Sequence, residues 1–274
     1  MLFTLGRKID PSYRTNLCVV IASLAISLAG WILFEVFSKG FGLGAGFFLC
    51  WALAREIDPL HDVSAFVSAG IFLSFFFLYD AMDFGVLFWL LLLLRMISGI
   101  CGKNPTPVDI LFLYGLTGYL AFSGQNIIYL ILLAVALLIA YVRYGKDLKF
   151  LYGATVSVLT LSFMAFHGWS LASGSIFENL LLSSRLILLI SVLLSFSLLY
   201  FRKMDGLVPD DKGQPLDGKQ FRLASLYYVF ALFSLAFFEK ITLMTFLNLL
   251  SVIAGVVLYA LFDKFSKGEQ RREA

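Results

Sequence analysis

The chain has 274 residues, 60% of them hydrophobic and 14% charged, with a formal net charge of +3. Apolar surface at that density associates in water, which excludes a soluble globular domain. Basic patches interleaved with aromatics do not occur, so nucleic acid is not an expected partner.

Apolar runs near membrane-spanning length recur from end to end, and such runs cross lipid only as helices that satisfy their own backbone polar groups. The expected fold is therefore all-α, a polytopic integral membrane bundle of about ten helices with both termini cytoplasmic. Residues 1–16 form a basic cytoplasmic segment, residues 17–262 a single transmembrane domain, and residues 263–274 a cytoplasmic tail. The first apolar run has no small-residue cleavage site and reads as a retained anchor.

In chain order the expected spans are 17–37, 41–54, 63–79, 84–98, 108–123, 126–142, 150–170, 179–201, 223–238 and 241–262. The second and fourth are short for a straight crossing, which takes about 20 residues. Lysine and arginine test this map, because cytoplasmic loops carry their excess. Eighteen of the 21 fall on one set of ends, Lys39 and Lys240 on the other, and Arg185 inside a span. A merged pair of spans would keep that asymmetry, so eight spans fit it too. The longest loop, 202–222, is rich in proline, glycine and aspartate and reads as a solvated cytoplasmic connector.

The first cytoplasmic loop, within "WALAREIDPLHDVSAF", gathers Arg55, Glu56, Asp58, His61 and Asp62. Asp58 before Pro59 suits an N-cap, with Pro59 at the first helical position and His61 at the third. The next such loop, "RMISGICGKNPTPVDI", offers Thr106 as cap, Pro107 at the first position and Asp109 at the third, a capping-box arrangement. Capping and topology account for Arg55, Arg95, Asp58, Thr106 and Asp109. They account less well for Glu56, His61 and Asp62.

A functional reading of the same loops is an anion site. Two helix N-termini would open on one face, with Arg55, Arg95 and Lys103 nearby and Gly99 and Gly102 admitting a ligand. Glu56, Asp58, Asp62 and Asp109 are the candidate oxygen ligands for Mg. Glu56, His61 and Asp62 are the candidate catalytic groups. Asp58 and Asp62 share a D-x-x-x-D spacing that is similar to part of the aspartate-rich loop of intramembrane prenyltransferases. The Asn-Asp opening of that motif is missing here, and Asp205, Asp210, Asp211 and Asp217 do not match its second loop, so the resemblance assigns no residue roles.

Elsewhere, Asp80 and Asp83 read as an acidic outer turn, and Glu35 and Lys39 as an i,i+4 pair. Arg185 inside a span either snorkels or joins Glu178 and His167 in an outer polar network. Cys18, Cys50 and Cys101 form neither a metal pattern nor a disulfide framework and read as packing residues.

Three functions fit these features. The first is a small-solute transporter or permease with a cytoplasm-facing polar site. The second is a membrane-embedded transferase or hydrolase acting on a phosphate-bearing lipid. The third is a non-catalytic subunit that docks a partner. The expected setting is the lipid bilayer of a prokaryotic plasma (inner) membrane, and the sequence leaves the oligomeric state open.

Overall fold

The computed structural model describes residues 3–7, 13–79, 81–169, 171, 208–209, 215–216, 218–239 and 241–273, with the backbone alone at 208–209, 215–216 and 265–273. Among them are nine α-helices. These are α1 (Arg14–Phe34), α2 (Phe37–Ile57), α3 (Asp62–Leu73), α4 (Phe84–Ser98), α5 (Pro107–Gly124), α6 (Ile128–Arg143), α7 (Leu148–Phe166), α8 (Gly218–Phe238) and α9 (Leu243–Glu273). A short 3₁₀ turn follows α3 at Phe76–Leu78. Inside the long loop, β1 (Val208–Pro209) pairs antiparallel with β2 (Pro215–Leu216).

Nine of the ten expected spans overlap helices, the third ending early at Leu73, and the eighth, 179–201, lies outside the described residues. Five helices are long and apolar enough to cross a membrane: α1, α2, α7, α8 and the Leu243–Lys264 part of α9. The apolar helices suit a membrane-embedded protein. The expected shortness of the second span is corrected, because α2 takes in Phe37–Gly40 and Arg55–Ile57 and reaches 21 residues. The fourth keeps its expected bounds and its 15 residues. The last helix does not stop at 262 but runs on to Glu273.

The helix breaks have local causes. Glu35 takes a left-handed conformation (φ 55°) at the end of α1, and Val36 is extended. That break puts Glu35 and Lys39 on either side of a corner, so their expected same-helix pairing geometry is not formed. Gln125 (φ 49°) turns α5 into α6, and Gly145 (φ 71°) with Lys146 (φ 64°) turns α6 into α7. Asp147 then caps α7 by accepting from the Lys149 N–H at 3.2 Å.

α2 sits at the centre, packed on α1, α3, α4, α8 and α9. Its glycines allow this on two faces. A side chain at Gly40 or Gly44 would collide with the α1 backbone around Ser23, Ser27 and Trp31. One at Gly42 or Gly46 would strike Tyr79, Phe72 and Met82 on the other side. Small residues that bring helix backbones close are how helices pack in lipid, where burial of apolar surface gives little drive. The same device joins α3 to α9, where a side chain at Gly255 would overlap Ser68 and the Ser68 hydroxyl donates to the Val252 carbonyl at 3.2 Å.

α4 is apolar on all sides, "FGVLFWLLLLLRMIS", and almost wholly buried, as such a helix must be inside a bundle. Trp89 and Tyr228 are the largest side chains sealed in the core. Their polar ends are matched: Trp89 Nε1 donates to Thr117 Oγ1 at 2.8 Å and Tyr228 Oη to the Leu249 carbonyl at 2.8 Å. α1 and α7 are peripheral and turn most of their apolar residues outward.

The described helices run alternately between two ends. One end gathers the C-termini of α2, α4 and α6, the N-termini of α3, α5 and α7, and the segment 3–7. The other gathers the N-termini of α4 and α9 and the α5–α6 turn with the end of α8. Arg55, Arg95, Lys103, Arg143, Lys146 and Lys149 all belong to the first, here called the basic end.

Candidate functional site

The two charged loops meet at the basic end. Arg95, in the last turn of α4, donates from Nε to Glu56 Oε1 at 3.0 Å, and the Ser98 hydroxyl reaches Glu56 Oε2 at 3.4 Å. Glu56 is 1% exposed. Arg55 pairs with Asp62 and also donates to the Pro59 carbonyl at 3.0 Å. His61 Nδ1 lies 2.9 Å from the buried Asp58 Oδ1, and its ring lies 5.1 Å from that of Tyr259 on α9. The four loop carboxylates and arginines therefore neutralise one another in two ion pairs, with a histidine on the remaining aspartate.

The cap at Asp58 is corrected. Asp58 closes α2, its N–H donating to the Ala54 carbonyl at 2.8 Å, and α3 begins only at Asp62 behind His61. Pro59 excludes helical backbone at Asp58 and so ends α2. The chain then spends residues 58–61 in a turn held by the Asp58–His61 contact. His61 is the N-cap residue and makes no side-chain cap bond, and Asp62 at the first helical position turns to Arg55.

The second loop follows its expected pattern. Thr106 Oγ1 accepts from the Asp109 N–H at 3.3 Å, and Asp109 Oδ2 accepts from the Thr106 N–H at 2.6 Å, a complete capping box with Pro107 at the first position. Asp109 is wholly buried and has a further partner that the sequence did not suggest. Thr4 donates to it twice, from its N–H at 2.7 Å and from its hydroxyl at 2.6 Å.

Gly99 and Gly102 take the left-handed conformation (φ 60° and 63°). The space over Gly99 holds the Arg143 guanidinium, which donates to the Ile97 carbonyl. The room expected at Gly99 is filled from within the chain. Lys103 is exposed. Among the described residues no three histidine, cysteine, aspartate or glutamate side chains group as metal ligands. Glu56, Asp58, Asp62 and Asp109 each have their own partner and do not form the expected Mg set.

Of the outer residues, His167 ends α7, exposed, with Nδ1 2.9 Å from the Phe163 carbonyl. Glu178 and Arg185, like Asp80 and the aspartates of the long loop, lie outside the described residues. Asp83 is not an idle acidic turn. It takes the Thr242 N–H at 2.8 Å and the Thr245 hydroxyl at 3.2 Å, and its own N–H donates to Thr245 Oγ1 at 2.7 Å. It therefore caps α9 from 160 residues away. Glu239 is nearly buried over Gly124, and Asn126 bridges the Phe238 carbonyl to the Ile128 N–H.

Deeper in the bundle lies Asn248 of α9, wholly buried. Its Nδ2 donates to the Gly46 carbonyl, near the middle of α2, at 2.8 Å. The Cys50 thiol in turn lies 3.8 Å from the Asn248 carbonyl. Asn248 Oδ1 has no hydrogen-bond partner among the described residues. Only its position in an apolar run, "MTFLNLLSVIAG", could have marked it in the sequence.

No family model matches this chain, and no curated protein or solved structure matches it.

Proposed function

We propose that the chain is an integral membrane transporter or permease for a small polar solute, with its basic end in the cytoplasm. The observation that carries this reading is Asn248. A fully buried acceptor left without a donor costs roughly 1–3 kcal/mol, and a bound solute that donates to it would offset that cost. Transporters commonly hold their solutes at mid-depth between helices, and Gly46, which Asn248 meets, lies near the middle of α2. The alternation of the described helices and the excess of basic residues at one end support the orientation.

The enzyme reading has less behind it. It requires a free base, a free anion site and grouped carboxylates at the basic end. Glu56, Asp62, Arg55 and Arg95 are instead committed to one another.

The test is flux. Purified protein in liposomes is challenged in turn with amino acids, sugars, nucleosides and organic anions, and solute-driven currents or uptake are recorded. At least one class should move in a protein-dependent way. Asn248→Leu should reduce that flux about tenfold or more, the scale of one lost buried hydrogen bond, without loss of fold. No protein-dependent flux of any class, or equal flux in Asn248→Leu, would overturn the reading.

A further inference from the structure

Residues 3–7 precede α1, yet they lie across the basic end instead of in solvent. Thr4 and Leu5 are buried, at 7% and 2% exposure. Thr4 donates to Asp109 from its N–H and its hydroxyl, and the hydroxyl also lies 3.4 Å from the Asn104 carbonyl. The Leu5 carbonyl accepts from Arg95 Nη1 at 3.3 Å, and the Cys101 thiol lies 3.7 Å from the same oxygen. The Phe3 ring meets Phe112 of α5 edge-on, at 5.3 Å between centroids. This strap therefore ties α4 and α5 together, and through Arg95 it reaches the Glu56 pair at the end of α2.

The construction is unlike that of a passive tail. The strap has no regular secondary structure, so its own backbone bonds do not hold it in place. Its shortest long-range bonds go to Asp109, and the Leu5 carbonyl accepts from Arg95, two ionised side chains on different helices; the contact of the Thr4 hydroxyl with the Asn104 carbonyl is longer, at 3.4 Å. Hydrogen bonds to charged groups are the strong ones, and these all lie between helix ends that must separate if the basic end opens. α1, which follows the strap, packs mainly on α2 and otherwise faces outward. Leu5 is itself part of the main core and Phe3 packs against it, so lifting the strap withdraws these two side chains while the helix-to-helix packing of α2 with its neighbours stays in place.

We propose that residues 3–6 are an intramolecular gate: a strap that closes the basic end while Thr4 is bound to Asp109 and Leu5 to Arg95, and opens it on release. This deepens the transport reading by naming the element that regulates access, and it rests on that reading only for what passes through.

The experiment reads Cys101, which lies beneath the strap and is 5% exposed. In full-length protein with Cys18→Ala and Cys50→Ala, reconstituted in liposomes, the rate of modification by a membrane-impermeant maleimide is compared across strap variants. Thr4→Val removes the hydroxyl bond and leaves the α5 capping box intact. Thr4→Pro removes the N–H bond as well. The gate predicts faster labelling of Cys101, by about tenfold in Thr4→Val and more in Thr4→Pro, under conditions where both variants remain folded, and a labelling rate that does not rise with low concentrations of denaturant. Thr4→Ser, which keeps both donors, should label at the original slow rate.

Unchanged labelling in both Thr4→Val and Thr4→Pro would overturn the gate. Labelling whose rate rises with denaturant as steeply as global unfolding does would also overturn it, because the strap would then be only a staple of the fold. Labelling reports exposure of a thiol and not flux. The gate can therefore stand in a chain that moves no solute, and its failure leaves the Asn248 reading intact.

Discussion

The two ends of the bundle are closed by different chemistry. At the basic end, opposite charges pair: Glu56 with Arg95, and Arg55 with Asp62. At the other end, Asp83 is held by a backbone N–H and a hydroxyl, and Asn126 by backbone groups. The difference follows from topology. Basic residues accumulate on one side, so Glu56 and Asp62 there meet arginines, while Asp109 and Asp147 of the same end cap helices. Asp83 at the other end is met by a backbone N–H and a hydroxyl instead of a cation.

This contrast sets an order of sensitivities, measured as unfolding free energies in detergent. The largest effect should come from Glu56→Ala, which leaves the Arg95 guanidinium, 14% exposed, without its carboxylate. Removing one partner of a buried pair costs about 3–5 kcal/mol. Replacing both, as Glu56→Leu with Arg95→Met, should cost far less than either single change. If the single and double variants lose the same amount, the pair does not hold the basic end together.

Next comes the opposite end. Asp83→Ala strands the Thr242 N–H and the Thr245 hydroxyl and should cost roughly 1–3 kcal/mol, with Asp83→Asn between the two. A loss equal to that of Glu56→Ala would erase the distinction between the ends. Thr106→Ala, which breaks the capping box of α5, should cost about 1 kcal/mol.

The smallest effect should be that of Asp62→Ala. Its pair with Arg55 is part-exposed, Asp62 by 30%, and such pairs contribute about 0.2–1 kcal/mol. Asp62→Ala should also leave any flux in place. Loss of function with full stability would instead make Asp62 a working residue and reopen the enzyme reading.

What was legible in the sequence was local. The bounds of α4 follow from one apolar run between Asp83 and Gly99. The capping box of Thr106 and Asp109 lies within four residues. The clustering of charge at positions 55–62 marked the basic end, because the pairing partners were themselves close in sequence or on the next such loop.

The errors were also local in origin. Asp58 before Pro59 satisfies the rule for a cap, but the same proline restriction ends the preceding helix, and the carboxylate goes to His61. Glu35 and Lys39 have helical spacing only if the helix continues, and the left-handed turn at Glu35 stops it.

What stayed hidden was long-range. Nothing near Asp83 announces Thr245, and nothing near Asp109 announces Thr4. Gly40, Gly42, Gly44 and Gly46 lie in plain view, but which face each serves depends on where α1 and α3 pack. Asn248 reads as a single polar residue in an apolar run until Gly46 is brought against it.

The proposed orientation puts the two ends on opposite sides of the membrane with the basic end inside. Cysteine labelling in intact bacterial cells tests it most directly, in a background with Cys18, Cys50 and Cys101 replaced by alanine. Ser123→Cys reports the α5–α6 turn and Lys146→Cys the α6–α7 turn, both exposed positions. An impermeant maleimide should modify Ser123→Cys from outside, and Lys146→Cys only after the membrane is permeabilised. Labelling of both from the same side, or of Lys146→Cys alone in intact cells, would contradict it.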